Sequence, residues 1–203
     1  MNCACFRYGL FNRICNALMI FCVCVASSVR AEPKTIVAFG DSLTQGYGLP
    51  ADLGFVPKMG YWLGAQGVSV RMVNAGVSGD TTAGGLARLD WTLAETADLV
   101  IVNLGSNDML RGLDPRLTYD NLQKIMAKLH SKNIQTLLIG HLAPLNYGKD
   151  YKKNYDQVFQ QIAIENDTEF YPYFFEALVA IGEVVPNMQL YFQADGLHPN
   201  AAG

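Results

Sequence analysis

Four short polar clusters carry the residue types that attack on a carbonyl would need. Gly40-Asp41-Ser42-Leu43-Thr44 displays a serine directly after an apolar run. Glycine lets the chain turn sharply there. A serine at a helix N-terminus sits among free N–H groups at the positive end of the dipole, surroundings that favour an oxyanion. Taken alone, Gly-Asp-Ser is equally well read as a helix cap. Asn74-Ala75-Gly76-Val77-Ser78-Gly79-Asp80-Thr81 follows a second apolar run, and its two glycines permit unusual backbone angles or close approach of a ligand to main-chain N–H. By itself it is also an adequate plain loop. Leu104-Gly105-Ser106-Asn107-Asp108 places a side-chain amide after a third run. Asp195-Gly196-Leu197-His198-Pro199 ties an acid to an imidazole within one turn of chain, so that the acid could hold one ring nitrogen while the other faces a nucleophile. An isolated Asp-x-x-His is more often just a turn.

The elements between these clusters must place them together. Ile36–Phe39, Val68–Val73, Leu99–Val102 and Thr136–Ile139 are nearly continuous apolar runs with little alternation, and Thr168–Tyr171 is a weaker fifth. Such runs belong to strands covered on both faces, as in a parallel sheet under helices. Asp114 before Pro115 marks a helix start, since Asp caps free N–H groups and Pro needs none at the first position. Tyr119, Leu122, Ile125, Met126 and Leu129 then share one face, and Tyr155, Val158, Phe159, Ile162 and Ala163 repeat the spacing. Leu86, Leu89 and Leu93 mark a further helix opened by Thr81 or Thr82. Strand–helix alternation predicts one α/β domain, in which ligands bind beyond the carboxyl ends of the strands. The first three clusters lie at those ends.

Ser, Gly, Asn and His clusters in this order resemble the SGNH (GDSL-type) hydrolases, most closely their small exported bacterial thioesterase, lysophospholipase and arylesterase group. The resemblance runs from Lys34 to the last residue. It rests on Phe39-Gly-Asp-Ser-Leu-Thr44, Asn74 to Leu89, Leu104-Gly-Ser-Asn-Asp-Met-Leu-Arg-Gly112 and Asp195-Gly-Leu-His-Pro-Asn200. It implies a three-layer α/β/α, flavodoxin-like fold on a mostly parallel five-stranded sheet. It also implies Ser42 as nucleophile, His198 as base, Asp195 as its orienting acid, and an oxyanion hole from the N–H groups of Ser42 and Gly79 and the Asn107 amide. No metal or cofactor is implied, and the expected substrate is a small-molecule acyl ester or thioester. Met109, Leu110 and Leu113, with Leu142, Pro144 and Tyr147, are expected to wall an acyl chain, although the same residues could simply cover the core. A carbohydrate deacetylase and a non-catalytic lipid or glycan binder on the same fold are the competing readings. Family members continue into a final helix behind the histidine loop, whereas this sequence stops at Gly203, so that helix is expected to be missing.

Other polar residues are assigned elsewhere. His130 is expected on a solvated helix face, and His141, after the fourth run, could line the pocket. Asp41 and Asp80 are expected to hold loops through backbone hydrogen bonds. Asp108 could be mistaken for the triad acid, but Asp195 is better tethered to His198.

Arg7 and Arg13, then an apolar stretch from Ile14 to Val29, then Val29-Arg30-Ala31, follow the order of a secretory signal peptide, so residues 1–31 are set apart from a domain of 32–203. The apolar stretch is shorter than the ~20 residues of a membrane span. All five cysteines lie in this leader, which leaves the remainder without disulfides, thiolate metal sites or a cysteine nucleophile. Cleavage near Ala31 leaves 12 basic against 18 acidic residues, a net charge of −6 that argues against nucleic acid or an anionic membrane as partner. The protein is expected to be an exported monomer, periplasmic or secreted. No Gly-x-Gly-x-x-Gly or Gly-Lys-Ser/Thr supports nucleotide binding.

Overall fold

Lys34–Gly40 (β1) is an interior strand of a five-stranded sheet, buried along its whole length past Lys34. The computed structural model describes residues 32–93, 97–180 and 188–203. Residues 1–31, with all five cysteines and the expected signal peptide, lie outside the described residues. Val70–Gly76 (β2), Leu99–Asn103 (β3), Gln135–Ile139 (β4) and Glu169–Tyr171 (β5) complete the sheet in the order β2-β1-β3-β4-β5, every pairing parallel. This is the flavodoxin-like order. Its switch point, where successive connections depart in opposite directions, falls between β1 and β3.

One face is covered by three helices: Thr82–Thr92 (α3), Pro115–Ser131 (α5) and Lys149–Glu165 (α6). Val37, Phe39, Val100, Val102 and Leu138 point into this layer and meet Leu89, Leu122, Ile125, Leu129, Tyr155, Phe159 and Ile162. Phe39 is fully buried, and burial of such a side chain contributes about 2–3 kcal/mol. The opposite face presents Ile36, Ile101 and Ile139 to Phe55, Met59 and Leu63 of Phe55–Ala65 (α2). The sheet therefore lies between helical layers. Short helices Ser42–Gln45 (α1), Ser106–Leu110 (α4), Glu176–Ala180 (α7) and Met188–Tyr191 (α8) occupy the ends and connections.

The helix starts follow their expected chemistry. Asp114 accepts from the Arg116 N–H at 2.9 Å with Pro115 in the first turn, and Thr81 caps α3 by accepting from the Gly84 N–H.

Two sequence expectations are corrected, and one element was not foreseen. The second strand begins at Val70 instead of Val68, because the Val68 N–H closes the end of α2 on the Leu63 carbonyl after Gly67 at φ +79°. It then runs on to Gly76. Coverage on both faces applies to β1 and β3 but not to the edge strands β2 and β5, which remain partly exposed. The helix α2 has no counterpart in the sequence reading at all.

Candidate active site

Every polar cluster lies at the carboxyl edge of the sheet. Gly40 pairs in register with Gly76 and Asn103, Val102 with Leu138, and Ile139 with Tyr171. Two residues beyond this row stand Ser78, Ser42, Gly105, His141 and Tyr173.

Ser42 opens α1 immediately after β1. Asp41 caps that helix, accepting from the Leu43 N–H at 3.0 Å, and the Ser42 N–H is among those a helix leaves without an intrahelical partner. Asp41 is fully buried. Desolvation pushes its carboxyl above the usual range, partly offset by hydrogen bonds from the Ser106 hydroxyl and the Leu43 N–H. No Cβ fits at Gly40, where it would lie 2.6 Å from the Asn103 carbonyl oxygen.

His198 spans the gap between acid and serine. Its Nδ1 lies 2.7 Å from Asp195 Oδ2 and its Nε2 lies 2.8 Å from Ser42 Oγ. An ionised carboxylate only accepts, so Nδ1 carries the proton and Nε2 accepts from the serine hydroxyl. The other carboxylate oxygen of Asp195 accepts from the N–H groups of Leu197 at 2.9 Å and His198 at 3.0 Å. These contacts, the His198 N–H foremost and then its ring, hold the Asp195 carboxyl down to about 2. The tight turn uses Gly196 at φ +66°. Its position is fixed from outside by Gln193, whose Nε2 donates to the carbonyls of Tyr47 at 2.7 Å and Pro199 at 2.9 Å. The Tyr47 ring rests on the imidazole with centroids 4.8 Å apart.

Gly79 and Asn107 stand on either side of Ser42, at the ends of β2 and β3. Gly79 has φ +84°, a left-handed conformation that favours glycine. An added Cβ would meet no protein atom closer than Arg111 Nη2 at 3.8 Å, so the demand for glycine against its protein neighbours comes from the backbone angle. Ser78 donates its N–H to Gln45 Oε1 at 3.1 Å, and Arg111 donates to the Gly79 carbonyl at 2.8 Å. Asn107 lies in α4, whose start at Gly105 receives the Tyr155 hydroxyl on its carbonyl at 2.7 Å. Its amide is 3.4 Å from Asp41 Oδ2.

A cleft of about 420 Å³ joins these groups. Ser42, Gly79, Asn107, Asp195 and His198 line it, with Met109, Leu110, Leu142 and His141. Of the six residues expected to wall an acyl chain, Met109, Leu110 and Leu142 are on the lining, whereas Leu113, Pro144 and Tyr147 are not. Leu113 is turned into the backbone closure of α4, its N–H donating to the Asp108 carbonyl. Pro144 is exposed ahead of the 3₁₀ turn Leu145–Tyr147. Tyr147 braces the wall from behind, donating to the Leu110 carbonyl at 2.9 Å, with its ring where a Cβ of Gly112 would lie. Tyr47, Tyr173, Phe175 and Leu197 also line the cleft and were not among the expected wall residues. The supporting roles of Gln45, Arg111 and Gln193 were not read either: Arg111 lies inside the Leu104–Gly112 motif without a role assigned to it, and no periodicity or motif distinguishes Gln45 and Gln193 from solvated polar residues.

The remaining acids and histidines fall outside the hydrogen-bonded chain. Asp108 is buried and accepts from the Thr82 N–H at 2.8 Å, the Thr82 hydroxyl at 2.6 Å and the Thr118 hydroxyl at 3.3 Å, which joins α3, α4 and α5. Asp80 does not hold its loop through backbone hydrogen bonds. It pairs with Arg88 at 2.6 Å, and that guanidinium also donates to the Gly40 carbonyl and lies over the Phe39 ring. His130 is exposed. Among the described residues no group of three His, Cys, Asp or Glu side chains is placed to hold a metal ion.

Serine, imidazole and carboxylate in one hydrogen-bonded chain at the switch point of a 2-1-3-4-5 sheet define a serine hydrolase. The chain belongs to the GDSL-like Lipase/Acylhydrolase family, whose profile matches residues 38–203. It is 37% identical to esterase TesA of Pseudomonas aeruginosa over 85% of this chain and 83% of that protein. It is 34% identical to thioesterase 1/protease 1/lysophospholipase L1 of Escherichia coli K12 over 94% of this chain and 88% of that one. Among solved structures, the SGNH-hydrolase family esterase AlinE4 superposes with a TM-score of 0.75 at 40% identity, covering 85% of this chain and 89% of the other.

Proposed function

We propose that this protein hydrolyses carboxylic esters and thioesters of acyl groups through an acyl-enzyme on Ser42. The observation that carries this reading is the His198 imidazole held at 2.8 Å from Ser42 Oγ and 2.7 Å from Asp195.

Ser42 Oγ attacks the acyl carbonyl carbon as His198 Nε2 takes the hydroxyl proton. Asp195 remains ionised, keeps the ring in the required tautomer and stabilises the imidazolium. Negative charge moves to the carbonyl oxygen, which receives hydrogen bonds from the N–H groups of Ser42 and Gly79 and the Asn107 amide. Collapse expels the alkoxide or thiolate, which takes the proton from His198. Water then attacks the acyl-serine with His198 again as base, releasing the acid and restoring Ser42. The apolar side chains Met109, Leu110 and Leu142 favour an acyl chain longer than acetyl. The names esterase, thioesterase and lysophospholipase among the relatives are in keeping with an acyl substrate.

The test is hydrolysis of p-nitrophenyl esters from acetate to laurate by residues 32–203, beside Ser42→Ala. Activity abolished by Ser42→Ala and extending beyond acetate is expected. Activity on acetate alone would favour a carbohydrate deacetylase, and an inert but folded protein would favour a binder. The basic, apolar and small-residue order of positions 1–31 supports export with cleavage near Ala31. N-terminal sequencing of the protein recovered from the periplasm or medium tests this. Among the described residues no helix is long and apolar enough to cross a membrane.

A further inference from the structure

The stretch that follows β4 carries part of the cleft wall after the chain has left the sheet. Gly140 is still fixed there, donating to the Tyr171 carbonyl at 2.8 Å and accepting from the Phe174 N–H at 3.1 Å. Beyond it His141 and Ala143 are buried, whereas Leu142 and Pro144 are exposed. This alternation is that of an extended segment, in which a slip of one residue exchanges the two faces. Leu142 lines the cleft in the observed register.

The ladder between β4 and β5 ends at Ile139, so the buried backbone of Ala143 needs other partners. Two side chains of α6 supply them. Asp156 accepts from the Ala143 N–H at 2.8 Å, and Lys152 donates to the Ala143 carbonyl at 2.7 Å. Lys152 and Asp156, one helical turn apart, are themselves joined at 2.7 Å. The three contacts close a ring around one residue. Both side chains are partly buried, 34% and 24% exposed, and hydrogen bonds that involve charge are stronger than neutral ones. Water could satisfy the same two backbone groups, but it would not tie them to a helix.

We propose that Lys152 and Asp156 are positioning residues that set the acyl-chain preference by fixing Leu142 on the cleft wall. This rests on the acyl-hydrolase reading of the same cleft. Neither side chain lines the cleft, so the pair acts on a substrate through the segment it holds. An acyl chain long enough to meet Leu142 feels its loss, and an acetyl group hardly does. One methylene in an apolar pocket is worth about 10- to 200-fold in kcat/KM, so a wall displaced but still present corresponds to about 5- to 10-fold.

The experiment compares p-nitrophenyl acetate and octanoate as substrates of the wild type, Lys152→Met, Asp156→Ala, the double variant and Lys152→Arg. The octanoate-to-acetate ratio of kcat/KM is expected to fall about 5- to 10-fold in each of Lys152→Met and Asp156→Ala, mainly through KM for octanoate. The double variant should fall no further, because either loss opens the ring, and Lys152→Arg should recover part of the ratio. A pair that serves stability alone would lower the melting temperature and leave the ratio within twofold of wild type. That result overturns the proposal. Lys152→Gln and Asp156→Asn carry the comparison where the first two variants do not fold. If the wild type cleaves no ester, the acyl-hydrolase reading falls, and calorimetric binding of octanoate to Ser42→Ala decides for the pair. Binding weakened by Lys152→Met supports its role in shaping the wall, and binding that is absent or unchanged overturns it.

Discussion

Gln45 and Arg111 hold one short turn from two different helices. Gln45, at the end of the nucleophile's helix α1, accepts from the Ser78 N–H, and Arg111, capping the helix of Asn107, donates to the Gly79 carbonyl. The Ser78–Gly79 peptide, source of one proposed oxyanion donor, is thereby tied to both of the others. Electrostatic stabilisation of a transition state depends on donors that do not have to reorganise.

Arg111→Met is therefore expected to lower kcat by about 10-fold, in proportion to a loss of affinity for a phosphonate transition-state analogue. KM and the melting temperature should change little, and Arg111→Lys should recover part of the rate. Gln45→Ala should act in the same direction and more weakly. A loss confined to KM, or to thermal stability, would count against this role for the pair.

Asn107→Ala should remove a hydrogen bond made in the transition state. The expected result is a fall of ~10²–10³ in both kcat and kcat/KM, with binding of a non-reactive substrate analogue unchanged. An effect under threefold would mean that its amide stays with Asp41 and never faces the oxyanion.

Asp108 and Asp195 make opposite predictions. Asp108→Ala strands the Thr82 N–H and hydroxyl in the interior and should cost about 2–4 kcal/mol of stability, read from urea unfolding. The folded fraction should retain its kcat. Asp195→Ala should leave the unfolding midpoint nearly in place and lower kcat by several orders of magnitude. The reverse pattern would move the triad acid to Asp108.

Burial of His141 also has a signature in acid. Its pKa is about 4 in the folded chain against 6.5 for the free side chain. Above 6.5 both states hold a neutral ring and the fold bears no penalty. As pH falls from 6.5 the unfolded chain takes up the proton first, so stability declines until about pH 4, where the folded ring protonates too. The integrated loss is about 3 kcal/mol. His141→Met should be more resistant than wild type at pH 4.5 relative to pH 7 in urea titrations. Parallel curves for the two proteins would refute the assignment.

Much of this arrangement was legible in sequence because it is local. The four clearest apolar runs, the Asp114–Pro115 start and the Asp195–His198 turn each depend on neighbours within a few positions. Phe55–Ala65 was not. Its inward residues Phe55, Val56, Met59 and Leu63 have helical spacing, but exposed Tyr61 and Trp62 blur the pattern and Pro57 and Gly60 read as breakers. Pro57 is tolerated in the first turn, where its missing N–H has no partner to lose. Gly60 is accounted for only by Met72, a residue of another element, whose Cγ would stand 3.0 Å from an added Cβ. Arg88 on Asp80 and Gln193 on Tyr47 were hidden for the same reason. A long polar side chain does not declare its partner until the fold brings it near.

The single row of groups past the strand ends gives the protein a graduated scale. In the proposed mechanism the carbonyl chemistry falls at the marks of β2, β1 and β3, and His141 and Tyr173, past β4 and β5, line the same cleft. Redesign of the acyl preference can then proceed one mark at a time, at His141 or Tyr173, with the reacting groups left at theirs.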